Sequence, residues 1–148
     1  MAIEIRLLRQ SDEEILTNTA EGVFDNRVDF ALAAQFLAEP NHHIVAAIDE
    51  GAVVGFVSAL YYLHPDKQSE LWINEVGVSS THQGQGIAKL LMSKMLNLGR
   101  ELGCAEAWVL TYRSNAPAMK LYASAGGKED PNDMVMFNFD LHDIHSRA

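Results

Sequence analysis

Cysteine is almost missing from this chain. Cys104 stands alone among 148 residues, so neither an intrachain disulfide nor a cysteine metal cluster can form. It reads as a half-buried small apolar residue following a helix. Long apolar runs are missing too, and a bilayer-spanning helix needs about 20 such residues. Met1-Ala2-Ile3-Glu4-Ile5-Arg6 has none of the three regions of a signal peptide, which makes the cytoplasm the expected location. Basic residues are scarce, with 11 Lys and Arg against 20 Asp and Glu and a net charge of −9. Phosphate backbones need a basic face, so nucleic acid is not an expected partner, and neither is a membrane. A field of this sign speeds the approach of a cationic substrate, although it also serves solubility alone. His42, His43 and His64 have no metal-ligand spacing and read as solvated surface residues, so no metal is expected.

What is present fits one domain over residues 1–148, long enough for a single core, with 142–148 as a frayed tail. Ile3, Ile5 and Leu7 alternate with Glu4, Arg6 and Leu8, predicting a first strand. Ser11 or Asp12 caps a helix running to about Glu21, and a second helix spans about Asp29 to Leu37. His43 to Ile48 and Ala52 to Tyr62 form a hairpin around Asp49-Glu50-Gly51. Glu70 to Val78 is a strand whose apolar phase slips. Leu71 and Ile73 lie on one phase, Val76 and Val78 on the other. One extra residue near Asn74-Glu75 restores a common face, which predicts a β-bulge; a strand buried on both faces is the alternative.

From Gly86 to Leu102, the residues Ile87, Leu90, Leu91, Met95, Leu98 and Leu102 make an amphipathic helix that Gly103 ends. Ala107 to Thr111 follows as a strand with Trp108 in the core. Strand, helix and strand at this spacing imply a parallel pair with a right-handed crossover. Ser114-Asn115-Ala116-Pro117 starts a helix carrying Leu121 and Tyr122, and Gly126-Gly127 ends it. Glu129-Asp130-Pro131-Asn132-Asp133 is an acidic turn, and Met134 to Leu141 alternates as a final strand.

The segment from Val78 through Gln83-Gly84-Gln85-Gly86-Ile87-Ala88 is a strand, a glycine-bearing loop and a helix start. Glycines let backbone N–H groups approach a ligand, and a helix N-terminus adds unpaired donors, so a pyrophosphate held by amides is the expected ligand. Gly-x-Gly-x-x-Gly does not open the first strand-helix unit, and Gly-Lys-Ser/Thr is missing, which sets aside the dinucleotide fingerprint and the Walker loop.

Over nearly its whole length the chain resembles the GNAT family of acetyl-CoA-dependent N-acetyltransferases. The loop Gln83-x-x-Gly86-x-Ala88, and Asn115 followed by Leu121-Tyr122 and Gly126, carry the resemblance. It implies an α/β (α+β) fold of order β-α-α-β-β-β-α-β-α-β-β, one mixed sheet flanked by helices, with strands 4 and 5 parallel and splayed. It also implies acetyl-CoA as cosubstrate. Val76, Gly77 and Val78 would hold the pantetheine arm and thioester, and Gln83, Gly84, Gln85, Gly86, Ile87 and Ala88 the pyrophosphate. Asn115 would contact coenzyme A, and Tyr122 would be the general acid. Glu75 is the candidate base, or else only a carboxylate that anchors a cation.

Within the family, Glu70-Leu71-Trp72-Ile73-Asn74-Glu75-Val76-Gly77-Val78, His82 and Val135-Met136-Phe137-Asn138-Phe139-Asp140 resemble the class I aminoglycoside 3-N-acetyltransferases. Gln83 and Gln85 stand where that loop commonly has arginines. The expected acceptor is therefore a small polycationic amine, an aminoglycoside antibiotic, met by Asp25, Asp29, Glu75, Glu129, Asp130 and Asp133. Another amine (a polyamine, an amino acid, a protein lysine or N-terminus) and a non-catalytic acyl-CoA-binding module are the alternatives. A homodimer through the late strands or an exposed apolar face stays open.

Overall fold

The computed structural model describes residues 2–142. In chain order these form β1 (Glu4–Leu7), α1 (Glu13–Thr17), α2 (Phe30–Ala38), β2 (His42–Asp49), β3 (Ala52–Tyr62), β4 (Glu70–Val78), α3 (Ile87–Glu101), β5 (Glu106–Val109) and α4 (Ala116–Ser124). One mixed sheet has the order β1-β2-β3-β4-β5. Its first three pairings are antiparallel, and β4 and β5 run parallel.

The two central strands are apolar on both phases because the sheet is covered on both faces. Val45, Ala47, Val57, Ala59, Leu71 and Ile73 meet Ile87, Leu91, Met92 and Met95 of α3. On the opposite face Ile44, Ala46, Ile48, Val53 and Phe56 pack with Leu16, Val23 and Ala33 from the α1–α2 region. Helix α3 ends in a Schellman arrangement: Cys104 N–H donates to the Gly99 carbonyl at 3.0 Å and Gly103 N–H to Arg100 at 3.1 Å. Gly103 takes φ +81°, as its position past the helix end requires.

The bulge in β4 is present. Ser58 lies opposite Glu75 and Ala59 opposite Ile73, so Asn74 is the extra residue. Val76 and Val78 consequently pack on the same cluster as Leu71 and Ile73. Two residues further, Gly77 lies under the chain that leads from α1 to α2. A Cβ there would stand 2.4 Å from the Val23 carbonyl oxygen and 3.0 Å from the Phe56 ring. Only glycine lets that loop settle onto β4.

Several elements differ from their sequence expectations. Helix α1 stops at Thr17 and not near Glu21, because the next residues pair with β3: Val53 N–H donates to Asn18 O at 2.9 Å and Ala20 N–H to Val53 O at 2.8 Å. Trp108 is half-buried on the sheet face away from α3, stacked on Trp72 at 5.2 Å and donating its indole N–H to Glu70 at 3.1 Å. Its periodicity was apolar, but its partner is another tryptophan at the sheet's end and not the core. His43 and His64 are half-buried, the His43 Nε2 without a hydrogen-bond partner and the His64 Nε2 3.4 Å from Glu70 Oε2, so of these three only His42 is exposed. Residues 134–141 do not form the final strand: they are exposed and carry no regular secondary structure. Alternation provides strand propensity, but a strand needs an edge to pair with, and this segment lies against none in its own chain. The expected tail over 142–148 lies, apart from His142, outside the described residues.

Two predictions follow from this packing. Gly77→Ala should destabilise the fold by about 1–3 kcal/mol, the usual range for overpacking, read as a lower urea midpoint at unchanged slope. Desolvation, and secondarily the His42 charge, lowers the His43 pKa below 6.5. The native state therefore resists a proton that the unfolded chain accepts. The contribution is intact above the unfolded value of about 6.5 and is lost as pH falls through the lower folded value. Denaturation midpoints of His43→Gln should fall less between pH 7.5 and pH 5 than those of the parent.

Candidate active site

The sheet opens where β4 passes its bulge. β5 pairs with β4 only from Glu70↔Glu106 to Ile73↔Val109. Beyond Asn74, β4 stays bonded to β3 while its other edge has no strand. Ser79 N–H donates to Val54 O at 2.8 Å, which sets the antiparallel alternation. Gly77 and Glu75 then exchange bonds with β3, and the amides and carbonyls of Val76 and Val78 face the opening.

At the end of that edge the chain enters the glycine loop. Gly84 and Gly86 both take φ +78°, and a Cβ on either would meet nothing within 4 Å, so the cradle is open on its outer side. In the first turn of α3 only Leu90 N–H is bonded back, to Gly86 O. Among the described residues, the amides of Ile87, Ala88 and Lys89 have no protein acceptor. These donors and the helix dipole suit an anion. The Gln83 side chain does not point out to meet one: its Nε2 donates to Val78 O at 3.1 Å and ties the loop to β4.

A second tie was not read from the sequence. Ser79 Oγ contacts Thr81 Oγ1 at 2.9 Å, and Thr81 Oγ1 contacts His82 Nδ1 at 2.8 Å. The His82 Nε2 in turn meets Asp49 Oδ2 at 2.8 Å. The chain of contacts crosses from the loop to the β2–β3 turn. No local motif announces it, since Asp49 and His82 are far apart in sequence.

On the other side of β4 lies a cavity of about 340 Å³, lined among others by Asp25, Arg27, Asp29, Phe56, Ser58 and Glu75. Phe24 stacks on Phe56 at 3.9 Å and forms part of its wall. Three of the six expected acceptor carboxylates meet here. Asp29 also caps α2, accepting from Leu32 N–H at 2.9 Å. Glu75 is exposed at the cavity. Ser58, opposite Glu75 across the bulge, and the phenylalanines went unread because they look like ordinary core positions.

Glu129, Asp130 and Asp133 line neither this cavity nor the next. Glu129 is held by Arg113 at 2.8 Å and Asp130 accepts from Asn132 N–H at 2.7 Å. Asn115 is the N-cap of α4, accepting from Ala118 N–H at 3.2 Å. Only its amide nitrogen is left to meet a ligand. Tyr122 lines a separate cavity of about 300 Å³ between α3, β5 and α4. Burial raises its pKa above 10. Among the described residues no group of His, Cys, Asp and Glu is arranged to hold a metal, and no helix is long and apolar enough to cross a membrane.

An open strand edge beside an amide cradle, with an acidic cavity across the strand, is the layout of an acyl-transfer site. Residues 8–126 match the family model described as "Acetyltransferase (GNAT) family", and the chain belongs to that family. Its sequence is 31% identical over 116 residues to N-acetyltransferase 8B of Homo sapiens, covering 78% of this chain and 51% of that protein. Against L-2,4-diaminobutyric acid acetyltransferase of Oceanobacillus iheyensis it is 34% identical over 80 residues, covering 54% of this chain and 42% of that one. The chain thus spans about half the length of the curated relatives it matches. Among solved structures, an aminoglycoside acetyltransferase from an uncultured soil metagenomic sample superposes with a TM-score of 0.82 at 22% identity, covering 94% of this chain and 96% of that one. AAC(6')-Iy, in complex with a bisubstrate analogue of coenzyme A, superposes with a TM-score of 0.77 at 20% identity, covering 95% and 99%. These likenesses are of fold. None of these four names carries the 3-N class to which the sequence was likened.

The Asp49–His82 contact can be tested without a ligand. His82→Ala should speed amide hydrogen exchange over residues 79–86 by at least about tenfold, the equivalent of one charge-assisted hydrogen bond, and leave α3 beyond Leu91 unchanged.

Proposed function

We propose that this chain transfers the acetyl group of acetyl-CoA directly to an amine of a small polycationic substrate, an aminoglycoside in the first instance. The convergence of Asp25, Asp29 and Glu75 on one cavity beside the open edge of β4 carries this reading. The cytoplasm, where acetyl-CoA is available, is the location this reading proposes.

In this mechanism the amides of residues 83–88 and the first turn of α3 hold the pyrophosphate. The backbone of Val76 and Val78 receives the pantetheine arm as an added strand would be received. Glu75, exposed and solvated, takes the ammonium proton through a water. The freed nitrogen attacks the thioester carbonyl carbon, a C–N bond forms, and an N–H on the open β4 edge stabilises the oxyanion. The oxyanion collapses to the amide carbonyl as the C–S bond breaks, and the thiolate takes a proton from Tyr122. The second proton of the new amide nitrogen passes through water to restore the phenol, so that amide, thiol and the one proton taken by Glu75 are the products. Half-burial raises the Tyr122 pKa above 10, so the phenol is protonated at neutral pH and holds the proton that the thiolate takes.

The position acetylated remains a proposal: the sequence likeness favours 3-N, whereas one fold neighbour carries 6' in its name. A second reading has its own observation. Arg27 lines the same cavity as Asp25 and Asp29, and a guanidinium there favours an amine that also bears a carboxylate, such as a diamino acid.

Both readings meet in one assay. Thiol release from acetyl-CoA should occur with aminoglycosides carrying free amines, and mass spectrometry and NMR of the product give the position. Turnover of diamino acids alone, reduced in Arg27→Ala, would select the second reading; coenzyme A binding with no turnover on any amine would leave only a binding module. In the active enzyme Tyr122→Phe should lower kcat by about 10²- to 10³-fold with KM for acetyl-CoA retained. Its raised pKa puts any loss of kcat due to ionisation of Tyr122 above pH 10. Gly86→Val, strained at φ +78°, should raise KM for acetyl-CoA with a smaller change in kcat.

A further inference from the structure

Between Val53 and Leu60, Ser58 is the one residue of β3 with a polar side chain. It is 6% exposed, and only Ser79, at 4%, is a comparably buried polar residue in the described chain. The two hydroxyls are met differently. Ser79 Oγ lies 2.9 Å from Thr81 Oγ1. Ser58 Oγ makes no hydrogen bond among the described residues and opens on the cavity beside β4. Ile44, its partner on β2, and Phe56, two residues before it, make the floor around it apolar. A hydroxyl set on such a floor costs free energy unless something in the cavity pairs with it.

The bulge decides what this hydroxyl faces. Ser58 lies directly opposite Glu75, and the register slips immediately after it, where Ala59 meets Ile73. Side chains directly opposite on an antiparallel pair share a face, with Cβ atoms about 4.5–5.5 Å apart. Both side chains line the same cavity, and no hydrogen bond joins them. Glu75 is exposed at the cavity, whereas Ser58 stays at its floor. A water between the two would have both as partners and the acceptor nitrogen as a third, within the about 2–4 contacts that a held water makes.

We propose that Ser58 positions the water through which Glu75 takes the acceptor's proton, a role that rests on the acetyl-transfer reading. The water donates one hydrogen to the Glu75 carboxylate and the other to Ser58 Oγ, which leaves a lone pair for the ammonium. A proton passes from the nitrogen to the water as one of the water's own passes to Glu75. The water is regenerated, the amine is neutral and Glu75 is protonated. Ser58 gains and loses no proton; its hydroxyl fixes the water's orientation, which a methyl group of similar size cannot do. Asp25, Arg27 and Asp29 face the same cavity from the loop and are left for the acceptor's other groups.

Steady-state kinetics with neamine and with 2,4-diaminobutyrate as acceptors test this role. Ser58→Ala should lower kcat by about five- to tenfold, the equivalent of one hydrogen bond, and leave KM for acetyl-CoA and for the acceptor within about twofold. In a Glu75→Gln background, with product followed by mass spectrometry, the same substitution should change kcat by less than about twofold, because the water has no base to serve. A residue that only packs would give the same factor in both backgrounds. The urea midpoint of Ser58→Ala should equal or exceed the parent's, since no bond within the fold is removed. An active parent whose kcat Ser58→Ala leaves unchanged, a loss that falls on acceptor KM instead, an equal loss in the Glu75→Gln background, or a lower urea midpoint would each overturn the role of Ser58 alone. A parent that turns over neither acceptor would overturn the reading beneath it, and this role with it.

Discussion

One inserted residue governs the working half of this molecule. Asn74 has no partner on β3, and its insertion returns Val76 and Val78 to the face already taken by Leu71 and Ile73. Without it, the two valines would turn away from α3 and the apolar face of β4 would be broken in two. The same residue marks where β5 ceases to follow β4. Hydrogen bonds to β3 are kept while those to β5 end, so a strand interior to the sheet at Leu71 has an open edge at Val76. A bulge increases local twist, and the separation of the two parallel strands is the outcome expected of it.

The bulge alone would make an opening without a second wall. That wall is the loop from α1 to α2, and its approach depends on Gly77, where the Val23 carbonyl occupies the space of a side chain. Asp25, Arg27 and Asp29 are carried across Glu75 by this contact. The stacking of Phe24 on Phe56 fixes the loop from beneath. The acidic cavity therefore exists because a glycine two residues after the catalytic candidate lets a backbone come down onto the sheet.

This history also explains which features were legible in the sequence. The phase slip at Asn74-Glu75, the helix that begins after Gly86 and the hairpin around Gly51 are local, and periodicity or turn chemistry discloses them. Asp25, Asp29 and Glu75 could be named as carboxylates on suitable segments, but Glu129, Asp130 and Asp133 looked the same and do not join them. The difference lies in Arg113 and in the path of the chain, neither of which is encoded nearby. Trp108 deceived for the complementary reason: its partner Trp72 comes from another strand. The alternation over 134–141 was read as a strand, and its composition is a strand's composition; what periodicity does not supply is the edge it pairs with. The separation of Asp49 from His82 hid their contact in the same way.

The charge distribution bears on how the two proposed substrates would share the site. A net charge of −9 attracts a polycation and repels coenzyme A, an anion. At physiological salt the mean field is screened over about 8 Å, so the repulsion is felt chiefly where carboxylates are close. Asp25, Asp29 and Glu75 line the cavity on the loop side of β4. The cradle carries none: Gln83, Gly84, Gln85, Gly86, Ile87 and Ala88 are all neutral. Gln83 is turned inward to Val78, leaving the amides and the helix dipole to face the phosphates. Such donors act within hydrogen-bonding distance and add no net positive charge that would pair with the acidic cavity or repel a polyamine from it. Arginines in the loop would strengthen the grip on pyrophosphate, but they would also lower the negative potential that draws the acceptor. In the proposed reading, neutral glutamines leave the strand edge between an amide cradle suited to anions by geometry and a carboxylate-lined cavity suited to cations by charge.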